Sequence, residues 1–520
     1  MPVTQHGAFG SDPSNFVRCL PKNPEQHSKG DLARLALDMQ AEPDSLDFGP
    51  DSEENMFVPA GYTYFGQFVD HDLTFDTTST FDGTHPPSNQ RTPRFDLDCV
   101  YGRGPIDAPE LYDATGVFLN LGNVLDASTG RKDLLRDAEG RAIIGDPRND
   151  ENSIVSQIQA GFINFHNAVA TKLAATRGLK GPALFEAARN EVRWTYQRIL
   201  VEDYLPRIIS GEVRTAFEEA RAPDARGKST RSGAYVLYVP MNRQSLPLEF
   251  AAAAYRFGHS MVRNGYSLQG DRLFPIFDGA MDDTSLIGFQ PLPPIHVIKD
   301  WRRFFPDSTI ESAADGNTLS PAPGTRAGAN GSNDGADDAV GTPRLQFAYR
   351  IDTSVANPLA SLPAAVAADP PPSLIVRNLW RGAAFELPSG QDFERKLGVT
   401  IDPKHLAVRT QRADRADKTF QYVDVDQAFK VLTPLWFYIL AEAQGTVIDK
   451  FGHDEFTEDE LKASARDTAT QLGRVGGRIV LEVFQGLLDS DDDSYRNHPD
   501  AASWQPLVTK FRVWDVLHFS

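Results

Sequence analysis

The strongest periodic pattern in the chain predicts a long α-helix over Ser153–Ala175. Its apolar residues recur at intervals of three or four, which places them on one helical face: Ile154, Ile158, Phe162, Phe165 and Val169. Similar patterns predict helices from Tyr62 onward and over Ala183–Leu205, Leu248–Met261 and Asp467–Leu488. Strand signals are few, and the best of them are Ala234–Val239 and Leu345–Arg350. The chain is therefore predicted to be mainly α-helical, with minor β structure and long loops.

The length and composition allow a substantial core. The 520 residues are 41% apolar, which suits either several domains or one large helical body. Residues 1–55 are polar and largely irregular, and we predict an N-terminal arm that wraps one catalytic domain over residues 56–520. Residues 312–343 are dense in Gly, Ala, Asp, Ser and Pro, which predicts a flexible surface insertion.

Charge, cysteine content and the N-terminus narrow the partners and the compartment. The formal net charge of −19 opposes binding to nucleic acids and to anionic membranes. Only two cysteines are present, Cys19 and Cys99, which excludes a disulfide-rich scaffold and favours two free thiols. No apolar run is long enough to span a bilayer, and the N-terminus lacks the basic and apolar regions of a conventional signal peptide. We therefore expect a cytoplasmic protein or export by an unconventional route.

The first segment that carries chemistry is Gly66–Asp72, with the sequence Gly-Gln-Phe-Val-Asp-His-Asp. Gln67 and His71 are four residues apart, so they share one face of a helix. Polar capping of a helix end is the simplest explanation of the segment. Three consecutive polar residues beside an aromatic-rich helix favour a functional site instead.

The segment Asp146–Asn152 leads directly into the strongest predicted helix. Ordinary N-capping explains its acidic residues, but it does not explain Arg148, because a cation is unfavourable near a helix N-terminus. An arginine in that place is expected to pair with an anion or a ligand. A third segment, Tyr255–Ser260, places His259 beside a glycine after an Ala-rich helix, which permits a flat ligand to approach.

Together these segments resemble the peroxidase–cyclooxygenase superfamily, the animal-type haem peroxidases. The motif sequences are most similar to those of the bacterial branch. Gly66–Asp72 resembles the family's distal histidine motif, Asp146–Asn152 its catalytic arginine motif and Tyr255–Ser260 its proximal histidine motif. Val376–Arg381 is similar to the segment that holds the asparagine partner of the proximal ligand. The resemblance runs from about residue 56 to about residue 490, and it implies the large helical haem peroxidase fold.

The resemblance implies an enzyme that uses haem b to reduce hydrogen peroxide through a ferryl intermediate and to oxidise a small donor. A halide, thiocyanate, a phenol or another small aromatic compound could be that donor. His259 would ligate the iron through one ring nitrogen and donate the N–H of its other ring nitrogen to Asn378. His71 would accept and return the peroxide proton, Arg148 would stabilise developing negative charge, and Gln67 would bind water or a small anion.

Four further side chains belong to the implied cofactor site: Asp70, Glu151, Arg256 and Arg381. Asp70 and Glu151 match the carboxylates that form ester bonds to haem methyl groups in mammalian members. The mammalian member with a third, sulfonium link has a methionine directly after the glutamate. Asn152 stands at that position in this chain, so no sulfonium link is predicted.

The resemblance also implies a calcium site around Asp72. Its other ligands would lie on one loop: Thr92, the carbonyl of Arg94, Asp96 and Asp98. Oxygen ligands that include three carboxylates suit calcium. The family usually has serine where Asp98 stands. The alternative is that Asp96 and Asp98 merely point outward from a strand-like segment.

Three other functions stay open at this point. Fatty-acid oxygenation in the same superfamily uses a tyrosine three residues before the proximal histidine, where this chain has Arg256 and where Tyr255 is one residue out of register. A metal-dependent hydrolase could use His71-Asp72 as an HD pair, but it would leave Arg148 without a role. A calcium-stabilised binding protein without catalysis is the third, and the intact His71, Arg148 and His259 oppose it.

Overall fold

The computed structural model describes residues 16–43, 46, 51–76, 87–222, 231–239, 245–269, 272–277, 280–307, 345–413, 415 and 418–519. The α-helices are Lys29–Asp38 (α1), Gly61–Leu73 (α2), Asp98–Tyr101 (α3), Gly104–Asp107 (α4), Ser153–Arg177 (α5), Gly181–Ile199 (α6), Leu205–Ile208 (α7), Gly211–Arg221 (α8), Leu248–Ala252 (α9), Leu374–Ala384 (α10), Gly390–Leu397 (α11), Gln427–Val431 (α12), Leu435–Ala443 (α13), Gly445–Phe451 (α14), Glu458–Ala463 (α15), Gly476–Ser490 (α16) and Val513–Leu517 (α17). Short 3-10 segments join them, including Pro147–Asp150 and Ala254–His259, and a π-helical turn spans Leu200–Tyr204.

The strands form small antiparallel sheets between the helices. Their bounds are Glu54–Pro59 (β1), Val124–Asp126 (β2), Arg131–Lys132 (β3), Gly265–Ser267 (β4), Leu273–Pro275 (β5), Phe347–Tyr349 (β6), Ala407–Gln411 (β7), Thr419–Asp424 (β8) and Phe456–Thr457 (β9). The pairs are β1 with β6, β2 with β3 and β4 with β5, and β8 lies between β7 and β9 in a three-stranded sheet. The predicted class, mainly α with minor β, is therefore confirmed.

The core that supports the site is an aromatic layer between α2, α5 and α6. The ring centroids of Phe68 and Phe162 lie 4.9 Å apart, and Phe65 meets Tyr196 edge to face at 6.2 Å. All four rings are buried. Aromatic pairs in these geometries add to the energy of area burial, so α2 is held firmly on α5.

Two predicted helices are confirmed over most of their length. Ser153–Ala175 is observed as α5, which begins at the N-cap Asn152 and ends where Gly178 adopts a left-handed φ of 66°. The predicted helix Ala183–Leu205 is observed as α6, followed by the π-helical turn.

The prediction of one helix over Leu248–Met261 is wrong after Ala252. The α-helix ends there, and a 3-10 segment continues from Ala254 to His259. The side chain of Arg256 donates from Nε to the carbonyl of Ala251 at 2.9 Å, and a continuing α-helix would have used that carbonyl for its own ladder. The change of helix type sets the position of His259.

The predicted helix Asp467–Leu488 begins later, at Gly476. The preceding residues bond to distant parts of the chain instead of to one another. Arg350 donates to the carbonyl of Thr468 and Asn55 donates to that of Thr470, both at 2.9 Å. Helical bonding of the 467–475 segment is therefore replaced by tertiary hydrogen bonds.

The strand predicted over Ala234–Val239 is wrong, whereas the one predicted over Leu345–Arg350 is observed at Phe347–Tyr349. One carboxylate oxygen of Glu482 accepts the backbone N–H groups of three consecutive residues: Val236, Leu237 and Tyr238. Three N–H groups that converge on one oxygen cannot alternate as they do in a strand.

Other predictions can be placed only in part. The predicted insertion 312–343 lies outside the described residues. Cys19 and Cys99 are free thiols, as predicted. Within the described ranges, none of the helices has the length and apolar character needed to cross a membrane.

Candidate active site

A cavity of about 380 Å³ brings together side chains from α2, α10 and the two 3-10 segments Pro147–Asp150 and Ala254–His259. The sequence-predicted catalytic and cofactor-binding residues all line it: Gln67, Asp70, His71, Arg148, Glu151, Arg256, His259, Asn378 and Arg381. They come from segments far apart in the sequence. These polar side chains line one part of the cavity, and apolar side chains line the rest.

His71 enters the cavity from α2 and is buried. Its Nδ1 lies 2.7 Å from Oδ1 of Asn149. Burial, reinforced by the positive charge of Arg148, lowers the pKa of His71 to about 3. The imidazole is therefore neutral near neutral pH, the form in which it can accept a proton.

Arg148 pairs with the carboxylate of Asp146, as expected for a cation near a helix N-terminus. Its Nε and Nη2 donate to the two carboxylate oxygens of Asp146 at 3.0 and 2.7 Å, and Nη2 also donates to the carbonyl of Thr74. Burial raises the pKa of Asp146, but Arg148 and Arg91 outweigh burial and hold that pKa below its usual range. Asp146 is thus a carboxylate that aims the guanidinium of Arg148.

Two carboxyl groups at the edge of the cavity resist ionisation. Burial raises the pKa of Asp70 above its usual value and that of Glu151 to about 7, although Arg148 opposes both shifts. Thr74 donates its hydroxyl to Asp70 at 3.2 Å. Both groups are partly exposed to the cavity, so a ligand there can reach them.

His259 lies on another wall, next to Asn378 of α10. Nδ2 of Asn378 is 2.7 Å from Nδ1 of His259. In this orientation the amide donates to Nδ1, which places the ring proton on Nε2 and blocks metal ligation through that nitrogen. A half-turn of the amide supplies an acceptor for Nδ1–H instead. Burial and the charges of Arg256 and Arg381 lower the pKa of His259 to about 3.

Positive charge is concentrated near His259. Burial and the neighbouring Arg256 lower the pKa of Arg381 to about 9. Burial also lowers the pKa of Arg256, and Arg148 adds to that effect. Arginines that oppose one another in this way favour an anionic ligand between them.

The third predicted constellation forms next to the cavity. The carboxylates of Asp72, Asp96 and Asp98 are buried, and their oxygens lie within 4.8 Å of one another. Burial and the charges of the other two carboxylates raise the pKa of Asp72 well above its usual value. Within the described part of the chain, neither Asp72 oxygen has a hydrogen-bond partner of good geometry, although the Leu97 N–H and the Tyr196 hydroxyl lie close to the carboxylate. A buried carboxylate in that state fits a cation, and the outward-pointing alternative is wrong for Asp96 and Asp98.

The other two predicted loop ligands have protein contacts of their own. The carbonyl of Thr92 accepts the N–H of Arg94 at 2.7 Å, and the Arg94 side chain pairs with Asp491 at 3.2 Å. A carbonyl oxygen has two lone pairs, so the contact with Arg94 leaves Thr92 able to bind a cation.

Sequence reasoning missed the residues that hold the predicted ones. They are Arg91, Asp146, Asn149 and Gln159. Asp146 stands two residues before Arg148 and Asn149 directly after it, and that proximity was the available signal. Arg91 and Gln159 carry no local signal, because each also bonds to a residue more than 50 positions away, Asp146 and Cys99 respectively.

The histidines do not form a hydrolase-type metal centre in the described part of the chain. The group of possible metal ligands there contains the three aspartates and no histidine. His166 lies outside the cavity, where its ring nitrogens contact the Tyr101 hydroxyl and the Val117 carbonyl. His71 contacts Asn149, whereas Asp72 belongs to the acidic group, which is formed by Asp72, Asp96 and Asp98. The two residues of the HD pair therefore serve two different sites.

Comparisons with known proteins show which family the chain resembles. The family model described as animal haem peroxidase matches residues 78–278, less than half of the chain. Peroxidase skpo-1 of Caenorhabditis elegans is 25% identical over 248 residues, which cover 39% of this chain and 34% of that protein. The aligned segments span about a third or less of the curated relatives' own lengths.

Two solved structures share the fold over nearly the whole chain. Peroxidase A from Dictyostelium discoideum has a TM-score of 0.55 at 15% identity and covers 99% of this chain and 94% of its own. An Oryza sativa fatty acid alpha-dioxygenase has a TM-score of 0.50 at 14% identity, with coverage of 98% and 85%. At these identities the likeness is one of fold.

Proposed function

Because the chain belongs to the peroxidase–cyclooxygenase superfamily, we propose that it is a haem peroxidase that reduces hydrogen peroxide and oxidises a small donor. One observation carries the proposal: His71 with anchored Arg148, and His259 with Asn378, line the same cavity. A peroxidase needs a proton acceptor and a cation beside the peroxide, together with a ligand for the iron.

The residues of the cavity fit haem. His259 would ligate the iron once the Asn378 amide turns to accept from Nδ1, and a neutral amide acceptor makes the ligand less anionic than a carboxylate would. Arg256 and Arg381 offer the positive charge that the haem propionates require. When bound, the haem supplies the redox chemistry.

The chain's own groups would manage the proton and the charge. His71 accepts a proton from bound peroxide and later returns it, because burial keeps its imidazole neutral. Arg148 stabilises the negative charge that develops on oxygen, a contribution of about 3 kcal/mol for one well-placed donor. Asp146 holds the guanidinium ready, so little reorganisation is needed.

Two finer features complete the proposal. Asp70 and Glu151 would be the carboxyl groups for ester bonds to the haem, since both line the cavity. Asp72, Asp96, Asp98 and the loop residues Thr92 and Arg94 would bind calcium.

Fatty-acid oxygenation is the second candidate. Tyr255 lines the cavity, and its hydroxyl donates to that of Tyr204 at 3.1 Å. Oxygen uptake with a long-chain fatty acid, abolished in Tyr255→Phe, would favour it. Peroxide-dependent oxidation of small donors without fatty-acid oxygenation would exclude it.

The test of the proposed function is an absorption spectrum of the haem-supplemented protein before and after addition of hydrogen peroxide. We expect a Soret band that shifts rapidly with peroxide. His259→Ala should lose the band, His71→Ala should keep it but slow the shift by about 10² or more, and the exposed His453→Ala should change neither. A folded protein without a Soret band despite available haem would contradict the proposal.

A further inference from the structure

Two asparagines, three residues apart, each contact one polar group of the cavity. Asn149 contacts His71 and Asn152 contacts Gln67. Given the proposed haem peroxidase function, on which this rests, we infer that Asn149 and Asn152 are positioning residues. They fix His71 as a hydrogen-bond acceptor toward the cavity and Gln67 as a donor. They hold the two groups in the orientations that the proton transfer and the anion binding of the proposed function need.

The orientation of Asn149 is set by a chain of hydrogen bonds that starts at a backbone carbonyl. Gln159 Nε2 donates to the carbonyl of Cys99 at 3.1 Å, and a carbonyl can only accept. Gln159 must therefore present Oε1 to Asn149, whose Nδ2 donates to it at 2.9 Å. Asn149 in turn presents Oδ1 to Nδ1 of His71 at 2.7 Å.

This chain fixes the tautomer of His71. Because an amide oxygen can only accept, Nδ1 of the neutral ring must carry the proton, and Nε2 keeps its lone pair. Asn149, Gln159 and Cys99 are buried, so solvent does not compete for these bonds. Reversing the chain would set two carbonyl-type oxygens against each other at Cys99, a cost that is large in a buried site.

The orientation of Asn152 is set by the start of α5. Its Oδ1 accepts the backbone N–H groups of Ile154 and Val155 at 3.1 and 2.9 Å. Nδ2 is thereby left to donate to Oε1 of Gln67 at 3.1 Å. Oε1 of Gln67 is thereby turned toward Asn152 and its N–H groups point in other directions. A hydrogen bond from Gln67 lowers the pKa of Glu151, against the larger effect of burial.

The hydrogen bonds of Asn149 and Asn152 favour the same reaction, which is proton transfer from a ligand to His71. A ligand O–H bond breaks as an N–H bond forms at His71 Nε2, and the electron pair stays on the ligand oxygen. The resulting anion then meets the N–H donors of Gln67 and Arg148, and Arg148 Nη1 has no hydrogen-bond partner among the described residues. The step is a proton transfer and needs no oxidant.

The test of Asn149 compares two ligands of the haem-loaded protein by stopped-flow spectroscopy. Hydrogen cyanide must lose a proton to a base when it binds ferric haem, whereas carbon monoxide binds ferrous haem without a proton. We expect N149L to slow cyanide association at least about tenfold with carbon monoxide association unchanged. N149D has the shape of asparagine, and with its carboxyl protonated on the oxygen that faces Gln159 it keeps an acceptor for Nδ1–H and a donor to Oε1, so it should restore the cyanide rate to within about threefold of wild type. Equal slowing of both ligands, or an unchanged cyanide rate in N149L, would overturn the inference.

Asn152 is tested with fluoride, an anion that accepts hydrogen bonds, by titration of the ferric spectrum. N152S keeps an N-cap for α5 but cannot reach Gln67, so the fluoride Kd should rise about tenfold, the effect of one lost charge-assisted hydrogen bond. Carbon monoxide association should again be unchanged. A wild-type fluoride Kd in N152S would refute the role of Asn152. Absence of a Soret band or of a peroxide response in the wild-type protein would instead refute the proposed function.

Discussion

At the scale of single residues, the site depends on buried charges that neighbours hold in place. Arg91 is almost completely buried and bridges two carboxylates, with Nη1 on Asp98 at 2.6 Å and Nη2 on Asp146 at 2.5 Å. Asp98 belongs to the acidic group, and Asp146 holds Arg148. One arginine therefore links the proposed calcium site to the cavity.

The ion pairs of Arg91 with Asp98 and Asp146 predict that the effects of R91M and D98S on stability are not additive. R91M leaves Asp98 and Asp146 buried with less compensation, so the free energy of unfolding should fall by about 3–5 kcal/mol. D98S alone should cost less, because Arg91 keeps Asp146. In R91M/D98S the unpaired Asp98 charge is gone, and the coupling between the two changes should be about 1–3 kcal/mol.

Urea denaturation in the presence of EDTA measures each variant without calcium. Lys22→Met is the matched control, since its pair with Glu386 is exposed and should be worth less than about 1 kcal/mol. Additive effects of R91M and D98S would contradict the pairing.

At this scale the sequence predicts the catalytic side chains better than it predicts the residues that hold them in place. Gln67, His71, Arg148 and His259 stand in local patterns that indicate function, and the structure brings them to one cavity. Their supporting partners depend on three-dimensional proximity. Gln159 reaches the site only because α5 folds back beside α3, which no local pattern shows.

At the scale of elements, long periodic helices are predictable and their ends are not. The α5 pattern is confirmed because apolar spacing, the Asn152 cap and Gly178 all agree. The helices predicted over 248–261 and 467–488 were too long, because side-chain hydrogen bonds from Arg256 and Arg350 take carbonyls that the pattern assigned to a helix. Such bonds form between distant residues, so periodicity alone cannot reveal them.

The N-terminus of α16 has a capping group from another helix. Glu442 of α13 accepts the N–H groups of Val475 and Gly476 at distances between 2.9 and 3.1 Å. These bonds lower its pKa, but burial outweighs them and raises the pKa from 4.5 to about 7. Magnitude decides the sign here, since a carboxylate at a helix N-terminus would otherwise have a lowered pKa.

This raised pKa predicts how stability depends on pH. Between about pH 4.5 and pH 7 the folded state binds a proton at Glu442 that the unfolded state has released. The contribution of Glu442 to the free energy of unfolding must therefore fall as the pH rises through this window, by on the order of 3 kcal/mol. E442Q keeps an acceptor for the N–H groups and cannot ionise, so it should remove that part of the dependence.

The measurement is urea denaturation of wild type and E442Q at about pH 5 and about pH 8. The free-energy difference, wild type minus E442Q, should be more negative at the higher pH. Exposed Glu110→Gln is the control and should leave the dependence unchanged. An equal difference at both pH values would show that the hydrogen bonds, and not burial, determine the state of Glu442.

At the scale of the whole molecule, the acidic group is where separate parts of the chain meet. Asp72 belongs to α2, next to His71, whereas Asp96 lies in the loop before α3 and Asp98 is the first residue of that helix. Arg91 compensates the charge of Asp98, but without a metal ion the three buried carboxylates still repel one another and hold these parts together poorly. A bound calcium ion would convert the repulsion into a bridge between the α2 end of the cavity and the loop.

This arrangement predicts opposite effects of one substitution with and without calcium. In wild type, free calcium at about 100 times its Kd should add about 2.7 kcal/mol to the free energy of unfolding and raise Tm relative to EDTA. D72N removes one ligand charge, so it should lose the calcium-dependent rise. In EDTA, D72N should be at least as stable as wild type, because two buried carboxylates repel less than three.

Thermal unfolding with calcium, with magnesium and with EDTA distinguishes the possibilities. Exposed Asp107→Asn is the matched control and should keep the full calcium response. A response to magnesium equal to that of calcium would point to a less specific cation, since magnesium prefers a tighter octahedral shell with several waters. If wild type ignores calcium and D72N is stabilised in every buffer, the cluster is held by shared protons instead. The ion bridge between α2 and the loop would then have no part in the fold.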